Sequence, residues 1–175
     1  MSRVVAVCQS GSHRFSKAPQ LGIRLLAGLG VEGDAHCGAT VQHRWQARRT
    51  PEAVNLRQVH LIAEELLLGL REKGFQVAPG ELGENITTQG LDLLALPVGT
   101  RLHFGAEAVI ELTGLRSPCS LIDKFQQGLR AAVAGAEGQP RAGVMAIVLA
   151  GGEVMAGDAI VVELPEQPYQ PLRPV

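Results

Sequence analysis

A chain of 175 residues with sixteen basic and seventeen acidic side chains and a formal charge of −1 has length for one domain. It has no overall basic field, which argues against nucleic acid or an anionic membrane as its partner. Apolar residues at 46% and charged residues at 19% exclude a disordered chain, and aromatics at only 3% leave Leu, Val, Ile and Ala to build the core.

No apolar run approaches the roughly eighteen residues that a membrane span needs. The opening MSRVVAVCQSGSH lacks the basic, apolar and small-residue succession of a secretory signal. Three widely spaced cysteines (Cys8, Cys37, Cys119) without a CxxC pair make a poor disulfide framework and suit a reducing cytoplasm.

In chain order, Val4 to Val7 reads as a buried strand, and residues 11–50 read as irregular and polar. Gln58 to Ile62 predicts a strand running into a helix from Ala63 to Lys73. Leu66, Leu67 and Leu70 form its apolar stripe, Arg71 and Lys73 suit its C-terminal end, and Gly74 is its stop. PGELGENITTQG predicts a turn followed by a short strand. Further strands are expected at Thr100 to Phe104 and Ala108 to Thr113, and a second helical pattern runs over residues 119–134. Near the C-terminus, two Val/Ile-rich runs around Gly151-Gly152 predict a hairpin, and PEQPYQPLRPV predicts an extended tail over 166–175, after a domain of residues 1–165. Many short strands and few helices point to an α+β, β-barrel-rich fold. A βαβ architecture is the weaker alternative, because helices do not alternate regularly with strands and no GxGxxG or Walker-type loop is present.

Cys119 is the most informative position. It follows Pro118 at the predicted start of a helix, with Arg116 three residues earlier. Unpaired N–H groups, the helix dipole and a guanidinium all favour a thiolate, which can ligate a soft metal, carry a persulfide or attack an electrophile. An inert buried thiol is the competing reading. Asp34, His36, Cys37 and His43 form a second cluster of metal-ligand types. Their spacing matches no defensible zinc pattern, so a pocket-lining loop is preferred to a structural metal.

Arg57, just before a strand, can grip a phosphate or carboxylate through its planar fork, or make only a surface ion pair. Gln58 and His60 are expected to share one face of that strand with Arg57 on the other, and His60 in an apolar run reads first as a hydrogen-bonded core histidine. The glycines around Glu81, Glu84 and Asn85 can offer N–H groups to an anion, and Asn85 can read the edge of a heterocycle through its amide. Gly-rich turns also simply turn.

Taken in order, FSKAP, VEGDAHCG, RQVHLIAEE, PGELGENITTQGLDLLALPVGTRLHFG, TGLRSPCSLID and a GD near the C-terminus closely resemble the MOSC family, the C-terminal domain of molybdenum-cofactor sulfurases. The stretch from GELGENI to TGLRSPC carries most of the resemblance, which extends from about Val4 to Glu163. It implies a barrel of the pyruvate-kinase β-barrel type and binding of a molybdopterin-type molybdenum cofactor. Cys119 is then the sulfur donor or molybdenum ligand, and Asp34, His36, Arg57, Gln58, Glu84, Asn85, Thr113 and Arg116 surround the cofactor.

The 175 residues contain no pyridoxal-phosphate desulfurase unit and no ferredoxin-like cysteine set. The resemblance therefore implies a partner protein that donates sulfur or electrons and, for a reductase, a small N-hydroxylated or similarly oxidised substrate. A persulfide carrier and a reductase both remain open. So do a cofactor-free hydrolase or transferase pairing Cys119 with His36 or His60, and a non-catalytic binding barrel. Cys37, where a small residue is expected, is either incidental or a resolving thiol for Cys119.

Overall fold

Short runs rich in Val, Ile and Leu become strands that bury one face, while a single amphipathic run becomes a helix of more than two turns. The computed structural model describes residues 1–135 and 138–175. Its strands are β1 (Arg3–Gln9), β2 (Ala18–Gln20), β3 (Gly22–Leu26), β4 (Gly30–Val31), β5 (Val59–Ala63), β6 (Ile86–Gln89), β7 (Arg101–Phe104), β8 (Ala108–Leu115), β9 (Val144–Ala150), β10 (Gly152–Met155) and β11 (Ile160–Glu163). The helices are α1 (Arg44–Ala47), α2 (Glu64–Glu72), α3 (Leu121–Phe125) and α4 (Leu129–Ala132), with a 3₁₀ turn at Leu93–Ala95.

The fold is α+β, and its main sheet has eight strands in the order β11-β7-β8-β9-β5-β6-β1-β2; β10, β3 and β4 form a second, three-stranded sheet. The large sheet curls until β1 meets the residues just before β11. Arg3 and Ala159 form an isolated bridge, flanked by Val4 N–H donating to the Asp158 carbonyl at 2.9 Å and Ile160 N–H donating to the Ser2 carbonyl at 3.0 Å. The expected barrel-like curvature is therefore present, but no continuous ladder closes it.

Most strand pairs are antiparallel. The exception is β5 with β6, which run parallel and are joined through α2, so one βαβ crossover sits inside the fold. α2 carries Glu64 and Glu65 in its first turn and Arg71 in its last, and buries Leu67 and Leu70, each arrangement favourable to a short helix.

Three expectations differ. Residues 11–50, read as irregular, hold β2, β3, β4 and the short helix α1. The helical pattern over 119–134 is two helices of five and four residues. Gln126 is extended and its side chain exchanges hydrogen bonds of 2.9 and 2.8 Å with the Gln76 backbone, while Gly128 takes φ 83°, so the chain leaves the helical path between them. The predicted hairpin at Gly151-Gly152 is also replaced. β9 pairs with β8 and β5, whereas β10 pairs with β3 in the other sheet. The two glycines act as a corner between sheets instead of a turn within one.

The sheet interior holds a large core that includes Val4, Leu61, Ile86, Phe104, Ile110 and Val144. A second cluster (Ile62, Leu67, Leu70, Val77, Leu82, Ile122, Leu129, Val133, Ala142) fills the space beneath α2, α3 and α4, with Cys119 packed at its margin. No helix among the described residues is long and apolar enough to cross a membrane.

The proline-rich C-terminal residues are extended, and they fold back onto the sheet. Val98 N–H donates to the Gln170 carbonyl at 2.9 Å and Leu115 N–H to the Arg173 carbonyl at 2.8 Å, and Leu172 is 5% exposed within the main core. This return depends on Gly114, where a Cβ would collide with the Arg173 carbonyl and the Val175 side chain. Gly114→Ala is expected to expel residues 172–175 and lower stability by roughly 1–3 kcal/mol, the usual range for overpacking. Hydrogen exchange at Leu115 and Val175 checks this; undiminished protection in the variant refutes it.

Candidate functional site

Five segments of the chain come together around a cleft of about 480 Å³. The β1–β2 connection contributes His13, Arg14, Phe15 and Lys17. The segment around α1 contributes His36, His43, Arg44 and Trp45. The approach to β5 and the strand itself contribute Arg57 and His60, the turn before β6 contributes Gly83 and Asn85, and the segment after β8 contributes Arg116, Ser117 and Cys119. Arg14, Lys17, Arg44, Arg57 and Arg116 are all cationic. Four of the chain's five histidines join them, and no Asp or Glu lies on the lining. A chain of net charge −1 thus gathers five of its sixteen basic side chains on one concave surface without a carboxylate, an electrostatic setting that favours anions.

Beneath the cleft floor, the Asp34 carboxylate collects donors from three segments. Lys17 Nζ reaches its two oxygens at 2.8 and 2.7 Å, Ser10 N–H donates at 3.2 Å and His36 N–H at 3.0 Å, and Asn85 Nδ2 donates at 3.1 Å. The His36 ring stands with Nδ1 3.3 Å from Asp34 Oδ1. Burial alone would raise the Asp34 carboxyl, but the His36 hydrogen bonds and the Lys17 ammonium outweigh it and hold the group well below the ordinary carboxylate range. Asn85 is committed as a brace. It also donates to the Cys8 carbonyl at 3.1 Å and accepts from His60 N–H at 3.2 Å, so its amide faces the protein and not a heterocycle.

Glu84 is completely buried behind this layer. Its Oε1 accepts from Gly80 N–H at 2.6 Å and Thr87 Oγ1 at 3.3 Å, and Oε2 has no partner among the described residues. Burial pushes its carboxyl up, against the pull of the Gly80 N–H, Thr87 and Arg116. The glycine-rich turn therefore spends its amides internally instead of presenting them to an anion. Gly80 (φ 86°) instead serves close approach, because a Cβ there would lie 2.7 Å from Cys8 Sγ and would strike the Lys17 carbonyl.

Arg116 is the guanidinium of the floor. Its Cζ lies 5.9 Å from the Phe15 ring centroid, and its buried Nη1 has no partner among the described residues. Burial lowers its basicity, with Cys119 and then Glu84 opposing. Arg57 donates through Nη2 to the Val175 carbonyl, so the returning C-terminal segment fixes one edge of its fork, and burial lowers its basicity as well. His60 is buried, and its Nε2–H donates to the Ala142 carbonyl at 2.9 Å. Burial, reinforced by the Arg116 charge, holds it far below the usual imidazole range and hence neutral. Among the described residues no histidine hydrogen-bonds Cys119, and no three His, Cys, Asp or Glu side chains converge to hold a metal.

The model of the MOSC domain family matches residues 32–161. The chain belongs to the MOSC domain family. The YUAD protein from Bacillus subtilis is similar in structure at 26% identity, with 95% of this chain and 98% of that chain covered and a TM-score of 0.77. YiiM from Escherichia coli, at 22% identity, 96% and 73% coverage and a TM-score of 0.62, and YiiM from Geobacillus stearothermophilus, at 18%, 97% and 77% with a TM-score of 0.64, share the fold. No curated protein matches the chain.

Of the positions singled out in this MOSC sequence, Cys119, His36, Arg57, Asn85 and Arg116 line the cleft, and Asp34 and Glu84 support it from behind. Gln58 and Thr113 stand elsewhere. Gln58 donates to the Gly28 carbonyl and accepts from Val148 N–H, both at 2.9 Å, tying the two sheets together. Thr113 is the extra residue of a bulge, since Leu112 pairs with Ala146 and Gly114 with Met145, and its hydroxyl is turned to the Leu56 carbonyl at 2.6 Å. Arg57 lies before β5 begins, so strand alternation does not govern it, and it shares the cleft with His60. The sequence reading missed Lys17 as an individual residue, together with His13, Arg14, Arg44 and Trp45. Lys17 lay within FSKAP and Arg44 and Trp45 within the basic HRWQARR run, whereas His13 and Arg14 fell in an irregular stretch with no pattern to single them out.

The Lys17–Asp34 pair is almost fully enclosed, with side-chain exposures of 5% and 1%, so removing one member strands the other charge. Lys17→Met is expected to cost about 3–5 kcal/mol of unfolding free energy in denaturant titrations, and Lys17→Met/Asp34→Asn to recover part of it. Because the folded Asp34 carboxyl ionises below its unfolded value of about 3.9, its contribution is complete above about pH 5 and drains away as the pH falls through the folded value. An acid limb of stability unchanged in the double variant contradicts this.

Proposed function

We propose that this MOSC protein binds a molybdopterin-type molybdenum cofactor in the cationic cleft, with the Cys119 thiolate as the protein's ligand to the metal, and that it reduces small N-hydroxylated or similarly oxidised compounds. The observation that carries this reading is the pairing of one soft donor with an anion-seeking surface. Cys119 lies among Arg57, Arg116, Arg14 and Arg44 on a wall without carboxylates, and Arg116 Nη1 is a buried donor with no partner among the described residues. A lone cysteine cannot hold a metal by itself. It suits one that arrives with ligands of its own, as a pterin dithiolene provides, and a soft thiolate suits molybdenum.

When bound, such a cofactor supplies two-electron redox chemistry. The chain's own residues do the rest. Arg116 and Arg57 present planar forks to a phosphate or pterin oxygen, and Lys17, locked to Asp34, stiffens the floor on which they stand. The helix-end contribution expected at Cys119 is small, because α3 has only five residues; the charge beside the thiol is that of Arg116. A donor protein delivering electrons completes the cycle, and a reducing cytoplasm suits a chain whose three thiols are all free.

The test is elemental analysis and oxidised-pterin fluorescence on protein purified from a cofactor-competent host. Wild type is expected to carry molybdenum and pterin, Cys119→Ala to lose the molybdenum, and Arg116→Ala to hold the cofactor about 10- to 100-fold more weakly, the cost of one charge-assisted contact of about 1.5–3 kcal/mol. A wild-type chain free of both molybdenum and pterin overturns the reading.

A further inference from the structure

Four histidines line the cleft, and they are not equivalent. His60 gives its Nε2–H to the Ala142 carbonyl. Burial lowers His43, with Arg57, His36, His13 and Arg116 adding to the effect. His13 is lowered by burial and then by His36, Arg44 and Lys17, with Asp34 opposing. His36 is the cleft histidine that has a carboxylate against its ring among the described residues, with Nδ1 3.3 Å from Asp34 Oδ1 and the side chain 29% exposed. Asp34 cannot turn away from it, because Lys17, Ser10 and Asn85 hold the carboxylate in place. The His13 ring packs edge-on against His36, with centroids 5.2 Å apart and planes at 86°, which fixes the plane of the imidazole. The hydrogen bonds among the described residues leave Nε2 of His36 unused.

Resting on the cofactor-binding reading above, we infer that His36 is the proton donor of the reaction, delivering its Nε2 proton to the departing oxygen of the substrate, and that Asp34 is the residue that positions it. The chemistry requires such a group. Reduction of hydroxylamine, the simplest N–O substrate, is NH2OH + 2e⁻ + 2H⁺ → NH3 + H2O. The N–O bond breaks, two electrons come from a one-electron donor acting twice, nitrogen leaves as ammonia and oxygen leaves as water. Oxygen departs as water only if a proton reaches it as the bond opens, and solvent supplies the second proton to nitrogen. As an imidazolium, His36 gives up the Nε2 proton and remains the Nδ1–H tautomer, its remaining proton shared with Asp34. It is recharged from solvent through the exposed edge of the ring. The carboxylate thus selects which nitrogen works, in the same way that a buried acid orients a catalytic imidazole in other enzymes.

Two measurements test this. The first needs no cofactor: ¹⁵N–¹H correlation of the neutral imidazoles is expected to show His36 as the Nδ1–H tautomer in wild type and as Nε2–H in Asp34→Asn. An Nε2–H tautomer in the wild-type chain overturns the proposal. The second uses cofactor-loaded protein with hydroxylamine and reduced methyl viologen. His36→Gln is expected to retain its molybdenum and its KM while kcat falls on the order of 100-fold or more, the range for a lost general acid. Molybdenum retained with an undiminished kcat removes the role of His36 alone, and loss of molybdenum in His36→Gln makes the residue a cofactor ligand instead. A wild-type chain without molybdenum removes the cofactor reading and this role together.

Discussion

The site is organised around one buried carboxylate. Asp34 is the point at which the β1–β2 connection, the turn after β4 and the turn before β6 are bonded to one another, through Lys17 and Ser10, His36, and Asn85 respectively. None of these segments has regular structure of its own at that point, and loops ordered by a shared ion lose their mutual geometry when the ion is removed. Burying a carboxylate is costly unless its lone pairs are filled. Here the donors cover both oxygens, which is why the group stays ionised in an enclosed place. Because the same residue also touches the His36 ring and braces the Asn85 amide, the architecture of the loops and the chemistry of the cleft cannot be altered independently.

That anchor explains how the chain tolerates so much positive charge in one concavity. Lys17 is neutralised from below, while Arg14, Arg44, Arg57 and Arg116 share the lining without an acidic partner on it. Like charges gathered this way repel, and the structure absorbs the cost in three ways. Arg57 gives one N–H to the Val175 carbonyl, Arg116 stands over the Phe15 ring where the aromatic face attracts a cation, and Arg44 is exposed to solvent. An anion bound there would relieve the residual repulsion and so couple its binding to folding. The net charge of −1 gives no hint of this, because it averages a basic cleft against acidic groups spread over the rest of the surface.

What was legible in the sequence follows from periodicity and local chemistry. Gln58 to Lys73 announced β5 and α2 because the Val/Ile/Leu pattern changes period at Ala63, and Cys119 stood out because a thiol between an arginine-bearing loop and a helix start is a recognisable setting. The remainder depended on contacts far apart in the chain. Gln58 is polar and adjacent to Arg57, yet it spends its amide on Gly28 and Val148, residues 30 and 90 positions away. Thr113 sits near Arg116 in sequence but is the bulged residue of β8, a register detail that no local pattern encodes. Lys17 lies in a stretch without periodicity, and its importance arises only when Asp34 is brought beneath it. The hairpin at Gly151-Gly152 fails for a related reason: two apolar runs around a glycine pair look the same whether they pair with each other or part into different sheets.

The three thiols show how placement, and not residue type, distinguishes one cysteine from another. Cys8 is enclosed, and burial with the nearby Glu84 charge pushes it up to about 12 despite Lys17, so it is an inert filler of the core. Cys37 is raised by burial and by Asp34 and Glu32, and it is not among the residues that line the cleft with Cys119. Cys119 is packed against the second core cluster on one side and open to the cleft on the other, with Arg116 as its charged neighbour. Of the three, Cys119 is the one that lines the cleft beside an arginine. The same Asp34 that stiffens the cleft is among the charges that keep Cys37 protonated, so a single buried carboxylate helps to silence one cysteine while it steadies the floor around another.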